Sequence, residues 1–256
     1  MMNQNNRGFT LTELSIAVLI ISFLAGGVLL GRQIIRSASN QGMITDLERY
    51  ESAYKTFRLK YKRSPGDMPN AFEYFANTIG CTDLDVNTDN NGCNGDGNGR
   101  IGNQSILNVE NLRAHQHLSA ASILSTVDIT TGVDVTSAVI GQNSPPSLYR
   151  NEATYFFSSD NLNNNYKNIN SISISAAQND GWDAPVVEVL DALSVDTKID
   201  DANPYTGKVI AYNENDSECV ATSLLSSVIA NKKDAVYLSA GDSLCVLRLG
   251  LSDSFR

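Results

Sequence analysis

The chain begins with one long apolar segment. Residues 14–30 are apolar except for Ser15, Ser22 and the glycine pair Gly26 and Gly27. A hydrocarbon core is crossed by roughly 17–25 residues of α-helix, and this segment reaches the lower end of that range. The pattern therefore predicts a membrane-spanning helix near the start of the chain.

A second pattern follows the apolar segment without a break. Apolar and aromatic side chains recur at intervals of four and three residues, which is typical of one face of a helix; they are Met43, Leu47, Tyr50, Tyr54, Phe57 and Tyr61. The first proline is Pro65, within the turn-forming sequence SPGD at 64–67. We predict one helix over residues 9–63, in which 9–31 span the membrane and 32–63 are amphipathic.

The remaining residues, 64–256, have the pattern of a globular head. Short apolar or alternating segments are separated by Asn, Gly and Pro, a pattern that predicts strands at 153–157, 171–176, 208–212, 235–239 and 244–249. Residues 186–193 fit either a short helix or a strand. The predicted fold class is α+β, with the long N-terminal transmembrane or stalk helix packed on the antiparallel sheet of the head.

One carboxylate, Glu13, lies at the start of the apolar segment. An unpaired charge in lipid costs about 2.5–3.5 kcal/mol even on lenient insertion scales, so Glu13 needs a partner. Cleavage after Gly8 would create one, because the new α-amino group of Phe9 lies about one helical turn away, in the same molecule or in a shifted neighbour. Two alternatives stay open: a secretory signal cleaved near residues 37–39, and an uncleaved signal anchor in which Glu13 has no role.

The sequence GFTLTEL at 8–14 resembles the prepilin-type cleavage and methylation motif of type IV pilins and type II secretion pseudopilins. The resemblance implies that residues 1–8 are a leader, and that a prepilin peptidase cuts between Gly8 and Phe9 and methylates the Phe9 amine. It implies that Glu13 then pairs with the amine of an adjacent subunit. It also implies a type IV pilin-like fold and a single-pass protein of the bacterial inner membrane, with its head in the periplasm or, after assembly, on the cell surface.

Four further segments resemble markers of one proteobacterial subset of prepilin-like proteins, and they lie at 61–71, 95–101, 116–118 and 196–209. Many type IV pilins carry a proline in the apolar half of the helix, and this chain has none there. We therefore interpret the chain as a structural subunit of either a type IV pilus or a type II secretion pseudopilus. The alternative is a minor or tip pilin whose head binds a secreted substrate or a surface.

The net charge restricts the possible binding partners, and the cysteine content bears on disulfide formation. The formal net charge of −9 removes the electrostatic basis for a nucleic-acid partner. Four cysteines in a head outside the cytoplasm predict disulfides. Of three possible connectivities we favour Cys81 with Cys93 and Cys219 with Cys245, because each pair lies within one segment. The alternative, a zinc site, lacks the C-x-x-C spacing.

The sequence NGDGNGRI at 94–101 matches the first half of an EF-hand-type calcium loop. The ligands would be the side chains of Asn94, Asp96 and Asn98 and the backbone carbonyl of Arg100. Asn94 replaces the usual first aspartate and Ser105 the usual glutamate, so further carboxylates would come from Asp85, Asp89 or Glu110. Major pseudopilins can carry calcium in the head, and we predict calcium as a cofactor. The alternative is a turn-rich loop closed by a disulfide.

Other polar residues give little sign of catalysis. His115 and His117 are the only histidines, and residues two apart on the predicted helix do not face each other, so we expect no metal pair there. We expect His115 to face solvent and His117 to pack between helix and head. Asp196, Asp200 and Asp201 are interpreted as a surface turn with salt bridges. We therefore expect no enzyme activity.

Overall fold

The computed structural model describes residues 10–76, 78, 81, 93–102, 109–124, 139–141, 144–159, 169–176, 184–213, 219–220, 235–238 and 243–251. Gly8, Phe9 and Asp89 lie outside these residues, so the predictions made for them stay predictions. Within the described part the helices are α1 Leu11–Tyr61, α2 Ala71–Phe75, α3 Val109–Ala120 and α4 Val189–Ile199. The strands are β1 Ala153–Ser158, β2 Ser171–Ala176, β3 Val187–Glu188, β4 Val209–Tyr212 and β5 Leu244–Gly250.

Helix α1 is continuous over 51 residues. It ends at Tyr61 because Lys62 adopts a left-handed conformation, with φ 59°, and its N–H closes the last turn on the Arg58 carbonyl at 2.9 Å. Pro65 then excludes further helix. The helix therefore ends two residues before the predicted end at residue 63.

The two halves of α1 differ in burial. Large apolar side chains from Leu11 to Ile35 are exposed, whereas burial begins at Asn40 and recurs on one face. The buried side chains of this face are Asn40, Met43, Ile44, Leu47, Tyr50, Ala53, Tyr54 and Phe57. The spacing of apolar residues had predicted this face, and only the second half of the helix packs on the head.

The sheet of the head is antiparallel and β5 is its central strand. One edge of β5 pairs with β2, which pairs in turn with β1. The other edge pairs with β4, and β3 pairs with Leu244 and Cys245 at the start of β5. The α+β fold class, with a long N-terminal helix and an antiparallel sheet, is confirmed.

Most sequence segments assigned to strands are strands in the structure. The prediction for 171–176 coincides with β2, and three others differ from β1, β4 and β5 by one residue at one end. The ambiguous segment at 186–193 contains both elements, since Val187 and Glu188 pair with β5 and α4 starts immediately afterwards. At 235–238 the structure has a single bridge, from Tyr237 to Val220, in place of the predicted strand.

The core lies between α1, α3 and the sheet. The ring of Tyr50 on α1 lies 5.0 Å from that of Tyr155 and 5.9 Å from that of Phe157, both on β1. Tyr155 and Phe157 are two residues apart and so point to the same face of the strand. Full burial of one large apolar side chain stabilises the fold by roughly 1.5–3 kcal/mol. The second half of α1 is therefore an integral part of the head.

Candidate functional site

The start of α1 is closed by a capping box between Thr10 and Glu13. The Thr10 N–H donates to Glu13 Oε2 at 2.9 Å and the Thr10 hydroxyl donates to the same oxygen at 2.7 Å. In return, the Glu13 N–H donates to Thr10 Oγ1 at 3.3 Å. These contacts satisfy backbone donors that a helix start leaves free, and they hold the carboxylate at the beginning of the apolar segment.

The first half of α1 exposes a long apolar surface. Phe23 is 75 % exposed and Leu29 68 %, and similar exposure holds for their neighbours on every side of the helix. Monomeric soluble proteins rarely expose a contiguous apolar patch larger than a few hundred Å². Among the described helices, α1 alone has the length and composition to cross a membrane. This half of α1 is thus suited to lipid or to the apolar helices of other subunits.

The sequence around this helix start matches a known motif. Residues 3–29 match the family model of the prokaryotic N-terminal methylation motif. The chain carries a prepilin-type N-terminus. Searches of curated proteins and of solved structures gave no match. A prepilin peptidase processes proteins at this motif, so the match implies such processing here and, with the exposed apolar half of α1, indicates a membrane-anchored, pilin-like chain.

A polar junction connects α1 to the head just after the exposed half. The buried carboxylate of Asp191 on α4 accepts hydrogen bonds from Arg36 Nε at 2.6 Å, Asn40 Nδ2 at 2.8 Å and the Tyr149 hydroxyl at 2.7 Å. Arg36 also lies 3.0 Å from Glu188. The sequence analysis missed this junction. Its one sequence signal is a basic residue where the apolar segment ends.

Both disulfides favoured from the sequence are present. Cys81 is bonded to Cys93, and Cys219 to Cys245. Cys245 lies on β5, so the second disulfide fastens the segment around residue 219 to the central strand. Cys93 directly precedes the loop at 94–102, so the first disulfide fixes the beginning of that loop.

Asp96 and Asn98 of the predicted EF-hand-like set contact each other, because Asn98 Nδ2 donates to Asp96 Oδ2 at 2.6 Å. Asn94 Oδ1 accepts the Phe72 N–H at 2.8 Å, at the start of α2. Asn98 Oδ1 accepts the Arg100 N–H at 2.7 Å. Asp96 Oδ1 accepts the Asn98 N–H at 2.9 Å, and Asp96 also lies close to two further carboxylates, of which the sequence analysis had named only that of Glu110.

Those two carboxylates belong to Asp67, in the turn after α1, and Glu110, in the first turn of α3. Asp67, Asp96 and Glu110 each place an oxygen within 4.8 Å of the other two. Glu110 accepts the N–H groups of Asp96 and Gly102 at 2.8 and 2.9 Å. Burial, followed by the charge of Glu110, raises the pKa of Asp67 to about 7, and burial also raises the pKa of Glu110. We call these three residues the carboxylate cluster.

His115 does not face solvent, so that prediction is wrong. Its side chain is fully buried, its Nε2 lies 2.8 Å from the Tyr155 carbonyl, and burial lowers its pKa to about 4. His117 is buried as predicted, and its ring lies 6.0 Å from that of Phe57 on α1. Helix α3 has packing partners on two sides, β1 beside His115 and α1 beside His117, so both positions are enclosed.

The interpretation of Asp196 as a surface residue is also wrong. Asp196 is fully buried, accepts the Tyr237 hydroxyl at 2.8 Å and has a pKa raised by burial to about 7. Asp200 and Asp201 do form a turn. Asp200 Oδ2 accepts the N–H groups of Lys208 and Val209, and Asp201 caps Asn203 and Thr206. Their partners are thus mostly backbone amides rather than the predicted salt bridges.

Proposed function

We propose that this chain is a structural subunit of a membrane-rooted filament, either a type IV pilus or a type II secretion pseudopilus. The observation that carries the proposal is the methylation motif at residues 3–29, followed by an α1 half that the head leaves uncovered. Cleavage between Gly8 and Phe9 would give the mature N-terminus. The head would lie in the periplasm and the apolar half of α1 in the inner membrane.

Burial of apolar surface would drive assembly of such subunits. In the membrane, lipid covers the first half of α1, and in a filament the same half of neighbouring subunits would replace the lipid. Gly26 and Gly27 face open space in the isolated chain and carry no side chain, so a neighbouring helix could approach closely there. The transfer needs no change in the head, because its core uses only the second half of α1.

Glu13 would select the register between neighbours. Both side-chain contacts with Thr10 use Oε2, so among the described residues Oε1 stays available to a cation. The methylated Phe9 amine of an adjacent subunit would supply that cation. Once the apolar helices are packed, a subunit shifted out of register would leave both charges buried and unpaired, which is strongly unfavourable.

A minor or tip subunit is the second candidate, and one observation favours it. Helix α1 stays helical throughout Leu11–Tyr61 and has no proline in its apolar half, where many type IV pilins have one. A subunit that caps the filament does not need the loosening that this proline allows. In that case the head would bind a secreted substrate or a surface.

The proposal predicts that Glu13→Gln inserts normally but fails to assemble. The substitution keeps the shape of the side chain and removes the charge, so the neighbour's amine loses its partner. The measurement is the yield of cysteine-crosslinked oligomers in membranes, which we expect to fall at least about tenfold. Glu48→Gln is the matched control, because Glu48 is an exposed glutamate on the second half of the same helix.

Two results would contradict the proposal. One is an oligomer yield from Glu13→Gln equal to that of wild type and of Glu48→Gln. The other is a mature N-terminus at Asn40 in mass spectrometry of membrane-extracted protein, where we expect N-methylated Phe9. A terminus at Asn40 would establish the signal-peptide alternative, and it would also remove Arg36 from its contact with Asp191.

A further inference from the structure

We propose that the carboxylate cluster of Asp67, Asp96 and Glu110 is a binding site for one hard divalent cation, with calcium as the ion that fits it best. The site lies where the turn after α1, the loop at 94–102 and the start of α3 meet. It is a property of the head and does not depend on the filament function. Its ligand set differs from the EF-hand-like set, since Asp67 was not among the predicted ligands and Asn94, Asn98 and Arg100 do not belong to the cluster.

The backbone brings these three segments into direct contact. Gly66 has φ +88°, and a Cβ at this position would collide with the Glu110 carbonyl. A Cβ at Gly95 would collide with the Gly66 carbonyl and with the backbone of Asp67. Asp67 and Glu110 therefore take part in these close contacts, and Asp96 directly follows Gly95. The carboxylates are held together by the fold rather than by flexible side chains.

Two buried oxygens at the site have no hydrogen-bond donor. Asp67 is only 1 % exposed, and its Oδ1 has no partner among the described residues. Asn111 Oδ1 likewise has no hydrogen-bond partner among the described residues, and it lies against Gly102. The Gly102 N–H donates to Glu110 Oε2. A buried acceptor left unsatisfied costs about 1–3 kcal/mol. What these oxygens lack is positive charge or a donor, and a cation supplies it.

The chemistry of the cluster favours calcium over other ligands. Three carboxylates provide hard oxygen ligands and a formal charge of −3. The positive charge of Arg113 lies near Glu110. The Arg113 guanidinium donates to the Asn94 carbonyl, so it braces the loop. Calcium accepts six to eight oxygens in irregular geometry, including water, whereas magnesium requires a tight octahedron. Asp96 is exposed, which gives an ion access from solvent.

The test uses the full-length protein in nonionic detergent micelles, freed of metal by a chelator. Radioactive calcium and equilibrium dialysis give the stoichiometry and affinity, and we expect one ion per chain. Asp96→Asn removes one ligand charge from an exposed position, so the fold is retained and the affinity falls at least about tenfold. Calcium at a hundredfold excess over its Kd should also raise the melting temperature of wild type by at least about 5 °C.

Asp201→Asn is the matched control. Asp201 is likewise exposed, belongs to a second acidic group and accepts two hydrogen bonds, from the Asn203 N–H at 3.0 Å and the Thr206 hydroxyl at 2.6 Å. We expect this variant to bind calcium as wild type does. Absence of calcium binding by wild type would overturn the proposal. So would unchanged affinity in Asp96→Asn, or an equal loss of affinity in both variants, which would indicate a general effect of surface charge.

Discussion

His117 connects three parts of the head through its two ring nitrogens. Its Nδ1 accepts the Gly66 N–H at 2.9 Å and its Nε2 donates to the Cys93 carbonyl at 2.7 Å. These partners require the neutral ring protonated on Nε2, since a proton on Nδ1 would remove the acceptor. Burial lowers the pKa of His117 to about 4, which agrees with this state. One side chain on α3 therefore positions residues adjacent to Asp67 and to Asn94.

His115 makes the head sensitive to acid. Burial lowers its folded-state pKa to about 4 from an ordinary 6.5, so the unfolded chain binds more protons between these values. Its contribution to stability is present above pH 6.5 and is lost as the pH falls towards 4, a change on the order of 3 kcal/mol. The measurement is the free energy of unfolding of the full chain in micelles at pH 7 and pH 4.5.

His115→Gln serves as the comparison, because it keeps a donor for the Tyr155 carbonyl and removes the titrating group. We expect the variant to lose less stability than wild type on acidification, even if it is less stable at pH 7. An identical pH dependence in the two proteins would show that His115 does not contribute. The rings of Tyr50 and Phe157 pack against His115, so protonation of His115 would place a charge among aromatic side chains.

At the scale of elements, local pattern was sufficient for α1 and for most strands. The buried face of α1 and the bounds of β2 follow from spacings of apolar residues within one segment. The burial of α3 does not follow from such local spacing, because α3 packs against β1 and α1, which are distant in sequence. Residues 186–193 were ambiguous because a run of apolar residues fits both strand and helix. The strand ends at Glu188, the last residue that pairs with β5.

The same limit applies to the candidate sites. The start of α1 was readable from the sequence because its motif is contiguous. The carboxylate cluster combines Asp67, Asp96 and Glu110 from three segments, and only the loop residue stood in a recognisable pattern. Asp196 was assigned to the surface because charged residues are usually exposed. Asp196 is instead buried and accepts a hydrogen bond from Tyr237, forty-one residues away.

The junction between α1 and α4 rests on one buried carboxylate. Asp191→Ala removes the acceptor for Arg36, Asn40 and Tyr149, and we expect a loss of stability on the order of 2–3 kcal/mol in chemical unfolding of the full chain. Arg36 is 43 % exposed, so water offsets part of the effect of its lost ion pair. Glu152→Ala is the control, since Glu152 is 61 % exposed and lies 3.8 Å from Arg150. A similar cost in both variants would contradict the role of Asp191.

At the scale of the whole molecule, α1 connects the membrane part and the head without a break. Helix α1 begins as a surface for lipid or neighbours and ends in the centre of the head, with no break between Leu11 and Tyr61. Its 51 residues span about 77 Å at about 1.5 Å per residue. The disulfides, the sheet and the carboxylate cluster all lie on the second half, so their positions relative to the membrane depend on this helix.

An unbroken helix also sets an angle. Each residue turns the chain by about 100°, so one alanine inserted between Arg32 and Gln33 would rotate the head by that amount relative to the apolar half. We expect this variant to fold and enter the membrane, while its heads present the wrong faces to one another and oligomer yield falls. Seven inserted residues bring the rotation back to within about 20°. Every subunit would then be displaced equally along the axis, so assembly should recover. Equal oligomer yields from the two insertions would mean that assembly does not depend on the rotation of the head about α1.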